Sequence, residues 1–264
     1  ISVGICGDAR AAASALATRL SGKSLACHAN KAERDAAIKA EKAAWEAELD
    51  KWTHETDPYS VEIAAGSSAM HPRQMLRELE RAMPEGAMVS TDIGNICSVS
   101  NSYLRFDEPR SMFAAMSFGN CGYAFPVACG AKIAAPHRPA IAYVGDGAWG
   151  ISLNELLTCA REKIGVTVVV FNNGQWGAEK KNHVDFYSRR YQGGELANPS
   201  WAAVAKSFGC EGVVVDKVGD VGAALTESVK RQAEGNIVET NGRRMAKGKC
   251  PVCGTNLNRI LGKA

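Results

Sequence analysis

The pairing of Gly145-Asp146-Gly147 with Asn172-Asn173, with 24 residues between them, constrains this chain more than any other feature. An apolar run over 140–144 leads into the aspartate. Leu153, Leu156, Leu157 and Ala160 then recur at three- and four-residue intervals, the spacing of one helix face. A second apolar run over 166–171 ends at the asparagine pair. The pattern predicts strand, helix, strand, and a right-handed crossover makes the two strands parallel. The carboxylate and the amides then emerge on one edge of the sheet, the edge at which open α/β sheets bind ligands.

One carboxylate and one amide oxygen, completed by waters and phosphate oxygens, suit a hard octahedral cation such as Mg²⁺. Gly145 and Gly147 allow the backbone close to a diphosphate, and the following helix start offers it free N–H groups. Gly145, Gly147 and Gly150 also satisfy the G-x-G-x-x-G dinucleotide pattern. That pattern expects an acid near the end of the second strand, where this chain has Asn172-Asn173. It also leaves Asp146 inside the glycine turn, repelling a pyrophosphate unless a cation lies between them. A metal–diphosphate anchor accounts for both features together.

The Gly-Asp-Gly … Asn-Asn pattern resembles the cofactor-binding domain of thiamine diphosphate enzymes. Residues 70–235 further resemble the carboxyl-terminal domain of the sulfoacetaldehyde acetyltransferase family. The strings that carry this are His71-Pro72-Arg73, Ser90-Thr91-Asp92-Ile93-Gly94-Asn95, Asn101-Ser102-Tyr103-Leu104-Arg105-Phe106, Gly119-Asn120-Cys121-Gly122-Tyr123 and Gln175-Trp176-Gly177-Ala178-Glu179-Lys180-Lys181-Asn182.

The resemblance implies a set of roles. Asp146 and Asn173 would ligate Mg²⁺ by side chain and Gln175 by its carbonyl. Gly147, Ala148, Gly94 and Asn95 would meet the diphosphate of thiamine diphosphate, and the Gly119 carbonyl the aminopyrimidine ring. Cys121 stands where relatives hold a bulky residue that bends the cofactor; it reads equally as a small packed residue in a glycine-rich turn. Glu179 is a candidate proton donor or acceptor, set against a solvated charge in a polar run. Lys180, Lys181, His183 and Arg105 could attract an anion or simply form a wet face. The implied activity converts sulfoacetaldehyde and phosphate to acetyl phosphate and sulfite. An acetolactate synthase-like or 2-oxo acid decarboxylase subunit is the alternative, and a non-catalytic cofactor-binding or assembly module a third reading. In this family the acid that pairs with the aminopyrimidine nitrogen comes from a separate amino-terminal domain, usually on a neighbouring subunit. No residue here matches it, so a homo-oligomer or a partner is expected to supply it, and the chain alone is expected to turn over poorly.

A length of 264 residues, 46% of them hydrophobic, supports real cores. No run of about 18 apolar residues exists, and the chain opens at Ile1 inside an apparent strand, which suggests a fragment. Nine scattered cysteines, an odd count, suggest reduced thiols and a cytoplasmic setting. Net charge is +3, but residues 241–264 hold six Lys or Arg and no acid, while the remainder carries 25 basic and 28 acidic side chains. That balance makes no electrostatic case for nucleic acid.

The expected fold is α/β, a parallel sheet with helices on both faces, preceded by a partial βα unit and a long helix. The expected division is a middle-domain remnant and connecting helix over 1–66, a cofactor-binding domain over 67–235 and a basic tail over 236–264. Within the first, a strand at Val3, Ile5 and Cys6 leads to a helix ending at Leu20. Residues 31–56 form a helix with a thin stripe of Ile38, Trp45, Leu49 and Trp52. Further helices are expected over 74–83, 120–132, 200–208 and 221–233, and strands over 87–90 and 212–215. In the tail, Cys250-Pro251-Val252-Cys253 resembles half of a small zinc ribbon, but zinc needs four ligands. A truncated half-site or a fusion artefact fits better than a complete zinc site.

Overall fold

The computed structural model describes residues 3–23, 30–54, 70–234, 243–249 and 256–263. It divides into two units, Ile1–Trp52 and Thr53–Ala264. In the first, helix α1 (Ala9–Leu20) is opened by Asp8, whose carboxylate accepts the Ala11 N–H at 2.8 Å, an N-cap that satisfies one orphan donor. The strand expected at Val3, Ile5 and Cys6 is not formed. Val3 is 77% exposed, and no strand among the described residues takes the hydrogen bonds a strand must make. Helix α2 (Lys31–His54) carries the expected stripe, with Trp45 and Trp52 meeting edge to face at 5.3 Å.

The second unit begins with α3 (Pro72–Arg81), where Pro72 sits in the first turn and needs no N–H partner. Then follow β1 (Met88–Thr91), α4 (Asn95–Ser100), β2 (Met112–Ala114), α5 (Ala124–Ala134) and β3 (Ala140–Gly145). After these come α6 (Asp146–Ser152), α7 (Glu155–Glu162), β4 (Thr167–Phe171), α8 (Gly177–Phe186), α9 (Trp201–Ser207) and α10 (Val218–Glu234). The four strands form one parallel sheet in the order β2-β1-β3-β4. Val89 pairs with both Met112 and Ile141, and Tyr143 with Val169. The winding reverses between β1 and β3, so the switch point of the sheet lies at their carboxyl ends.

β1 is buried along its whole length and β3 from Ala140 to Val144, as expected of central strands covered on both faces. Strand alternation sends Ala142 and Val144 into one layer with Phe125, Trp149, Leu156, Cys159 and Ala205, contributed by α5, α6, α7 and α9. The opposite layer is made by α3 and α10, which pack together. Gln232 on α10 accepts the Ala140 N–H at 3.1 Å and donates to the Ala140 carbonyl and the Thr167 hydroxyl at 2.9 and 2.6 Å. One amide thus joins the last turns of α10 to the start of both β3 and β4.

The strand expected over 212–215 is not formed either, and Val213 and Val214 are each 73% exposed. The sheet of described residues ends at β4, with no further strand beside that segment. In the tail, β5 (Arg243–Lys249) and β6 (Asn256–Lys263) pair as an antiparallel hairpin. Cys250 and Cys253 lie outside the described residues.

Candidate functional site

Three strand tips meet at the switch point, and each carries residues singled out from the sequence. Gly145 ends β3 and Asp146 opens α6, as the strand–turn–helix spacing requires. Asp146 is only 2% exposed. Its Oδ2 accepts the Gly174 N–H at 2.8 Å and Asn198 Nδ2 at 2.5 Å. No described residue hydrogen-bonds its Oδ1. A carboxylate with one oxygen tied and the other reached by no described donor is the arrangement a hard cation completes.

Across from it, Asn173 follows β4. Its Oδ1 accepts the Gln175 N–H at 3.2 Å, closing a local turn. An isolated antiparallel bridge joins Gln175 to Glu195, through Trp176 N–H to the Gly194 carbonyl (2.8 Å) and Leu196 N–H to the Gly174 carbonyl (2.7 Å). The bridge uses neither polar group of Gln175, because neighbouring residues of an extended strand point their backbone groups to opposite sides. The tip of β1 converges here too. A Cβ built on Gly177 would lie 3.3 Å from Asn173 Nδ2 and 3.4 Å from Asn95 Nδ2, so these two amides gather at the start of α8.

Gly147 is held by contact. A Cβ there would come within 2.7 Å of the Trp176 ring, so the first turn of α6 lies against that indole and no side chain fits between. Gly94, by contrast, has φ 121°, a backbone conformation that other residues rarely adopt. Cβ atoms on Gly94, Gly119 and Gly145 would each point into open space. Ala148 is buried in the first turn of α6, where the backbone N–H groups have no intrahelical partner.

Glu179 is exposed in the first turn of α8. Cys121 is half-buried, and its thiol faces the Ile93 carbonyl at 3.8 Å. Burial pushes that thiol up from its ordinary value, and the charges of Asp92 and Glu179 push it further. Cys121 and Glu179 are therefore electrostatic neighbours although 58 positions apart. Three of the four basic candidates are already paired: Lys180 with Glu195 at 2.8 Å and over the Tyr191 ring at 5.2 Å, Lys181 with Asp185, and Arg105 with Glu80 at 3.6 Å; His183 meets the Tyr187 and Tyr191 rings edge to face.

Two residues had no role in the sequence reading. Asp92, fully buried at the end of β1, accepts N–H groups from Ile93 (3.1 Å), Gly122 (2.9 Å) and Ala124 (3.2 Å). It thereby fastens the turn that carries Gly119 and Cys121 to the sheet. Burial raises its carboxyl above the ordinary value, and the backbone hydrogen bonds pull part of the way back. Asn198 is the other: its Nδ2 also donates to Asn172 Oδ1 at 2.8 Å. Asn198-Pro199-Ser200 reads only as a turn before a helix, and nothing local reveals a partner 52 positions away.

Residues 92–238 match the family described as thiamine pyrophosphate enzyme, C-terminal TPP binding domain. A domain of unknown function (DUF5679) matches residues 227–260. Among curated proteins, the chain is 62% identical over 237 residues to a sulfoacetaldehyde acetyltransferase of Castellaniella defragrans. It is 60% identical over 241 residues to that of Alcaligenes xylosoxydans xylosoxydans. Each match covers 88% of this chain and 40% of the relative, so the chain spans well under half the length of these proteins. Among solved structures, a benzoylformate decarboxylase from Polynucleobacter necessarius matches with a TM-score of 0.58 and 21% identity, covering 68% of this chain and 33% of that one.

Proposed function

The chain belongs to the thiamine pyrophosphate enzymes through their carboxyl-terminal cofactor-binding domain, and from that premise we propose that it is the cofactor-binding part of a sulfoacetaldehyde acetyltransferase. The observation that carries the reading is Asp146: buried, at the switch point, with Oδ2 tied and Oδ1 without a donor among the described residues.

In this reading Asp146 Oδ1, the Asn173 amide oxygen and the Gln175 carbonyl hold Mg²⁺. Gly147 and Ala148 present first-turn N–H groups to the diphosphate, joined by Gly94 and Asn95, and the open space in front of Gly145 admits it. The Gly119 carbonyl would meet the aminopyrimidine, and Cys121 would stand where relatives hold the bulky residue beneath the cofactor. When bound, the cofactor supplies the carbon nucleophile for attack on an aldehyde, departure of sulfite and transfer of the acetyl group to phosphate. Glu179, exposed in the first turn of α8, would be the group that moves a proton near the reacting carbon. The acid for the aminopyrimidine would come from a partner chain that carries the amino-terminal domain.

The proposed division remains 1–66, 67–235 and 236–264. Among the described residues every cysteine is a free thiol, which supports a reducing cytoplasmic setting. No described helix is long and apolar enough to cross a membrane.

Calorimetric titration of the chain with thiamine diphosphate, with and without Mg²⁺, tests the site. Binding that requires the metal is expected, and its absence leaves only a structural module. The purified chain is expected to form little or no acetyl phosphate. Supplying an amino-terminal domain from a full-length relative should confer it with release of sulfite; carbon dioxide from a 2-oxo acid instead would make the protein acetolactate synthase-like.

A further inference from the structure

We propose that Asn198 is a positioning residue that ties down one oxygen of Asp146, leaves the other alone to meet the cation, and so tunes the site to Mg²⁺ over Ca²⁺. The inference rests on the metal site proposed above and adds to it a residue, and a selectivity, that the metal ligands alone do not supply.

The geometry has one consistent reading. Asn198 Nδ2 lies 2.5 Å from Asp146 Oδ2 and 2.8 Å from Asn172 Oδ1. A carboxylate oxygen only accepts, so the Asn198 amide must turn its NH₂ towards it; reversed, it would set oxygen against oxygen. Both N–H bonds of that NH₂ are then used, one on each partner. The adjacent asparagines therefore divide their work: Asn172 holds Asn198, while Asn173 turns back on Gln175.

Asn198 is itself held from both sides. Two positions earlier Leu196 donates to the Gly174 carbonyl, and two positions later the Ser200 hydroxyl accepts the Ala203 N–H as the cap of α9. With Gly174 N–H as the second donor, Oδ2 has both its lone-pair directions occupied. Asp146 can offer the cation a single oxygen. One-oxygen coordination suits the small octahedral shell of Mg²⁺, whereas Ca²⁺ takes six to eight oxygens and readily uses both oxygens of one carboxylate. Releasing Oδ2 should favour the larger ion.

The test compares Mg²⁺ and Ca²⁺ binding by calorimetry for the 264-residue chain in saturating thiamine diphosphate, with circular dichroism to confirm folding. Asn198→Ala is expected to weaken Mg²⁺ binding by about tenfold, the lower end of the usual loss when a ligand's hydrogen-bond partner is removed. Ca²⁺ should be weakened less or strengthened, so the preference for Mg²⁺ falls. Asn172→Ala, which removes only the outer partner, should move the preference the same way by a smaller factor, and it carries the test if Asn198→Ala does not fold. An unchanged preference in a folded variant overturns the proposal, as does equal weakening of both ions, which would mark a purely structural role. Metal-dependent binding by the wild type separates the two ideas: if it is absent, the site reading and this proposal both fall; if it is present and the variants match the wild type, only the role of Asn198 falls.

Discussion

At the scale of single residues, close approach rather than charge sets the tightest limits. Gly147 lies against the Trp176 ring, and a methyl group there would meet it at 2.7 Å. Trp176 immediately precedes α8 and follows Gln175, so moving the ring disturbs the turn that carries the metal-binding groups. Gly147→Ala is expected to weaken Mg²⁺-dependent cofactor binding by tenfold or more, roughly 1.4 kcal/mol, by calorimetry; wild-type affinity would show that the ring moves freely. Asp92 illustrates the opposite case, a buried charge held by backbone N–H groups. Asp92→Asn turns an acceptor into an NH₂ that faces those donors, with an expected cost of about 1–3 kcal/mol in urea unfolding. Its pH dependence has a definite sign. The folded chain binds the Asp92 proton more tightly than the unfolded chain, because burial raises the carboxyl above its ordinary 3.8. That contribution to stability is complete below the unfolded value and is lost as pH rises through the folded one. The advantage of wild type over Asp92→Asn should therefore shrink as pH rises from about 4, and an advantage that grows with pH would contradict the assignment.

At the scale of elements, the Gln232 amide shows how a helix is registered on the sheet. Its three hydrogen bonds fix α10 against the first residues of β3 and β4. Gln232→Ala leaves the Ala140 N–H and carbonyl without this amide, while the Thr167 hydroxyl keeps Ser228 at 2.8 Å, and is expected to cost about 1–3 kcal/mol, seen as a lower urea midpoint at unchanged slope. The same scale shows what periodicity can and cannot reveal. The strands β1, β3 and β4 and the helices α3, α9 and α10 lie close to where apolar spacing expected them, because their buried faces are long enough to produce a pattern. Helix α5 starts four residues later than expected, since 120–123 are used as the turn bonded to Asp92. The short α4 and β2, six and three residues, are too brief for any period to register. The run over 212–215 has a strand-like composition without a strand beside it, which is why composition misled there.

At the scale of the whole molecule, the site is assembled from β1, β3, β4 and the loop over 187–199, so ligand and fold stabilise one another. Thiamine diphosphate with Mg²⁺, at 100 times the dissociation constant, should raise stability by about 2.7 kcal/mol, measured by thermal unfolding. A chelator should abolish that gain while leaving the ligand-free transition in place. A gain that survives the chelator would show that the diphosphate is held without the metal.

Sequence alone determined the frame of the site: an acid and an amide at the tips of neighbouring parallel strands follow from apolar runs and the right hand of the crossover, both local or chiral properties. Only the tertiary structure decided which oxygen of Asp146 is free, that Asn172 and Asn173 serve different ends, that Asp92 anchors the Gly119–Cys121 turn, and that Lys180, Lys181 and Arg105 are already neutralised. Each of these depends on a hydrogen bond or ion pair whose direction is set by how the chain packs in space. Residue type and spacing state what a side chain is able to do, but not which partner reaches it first.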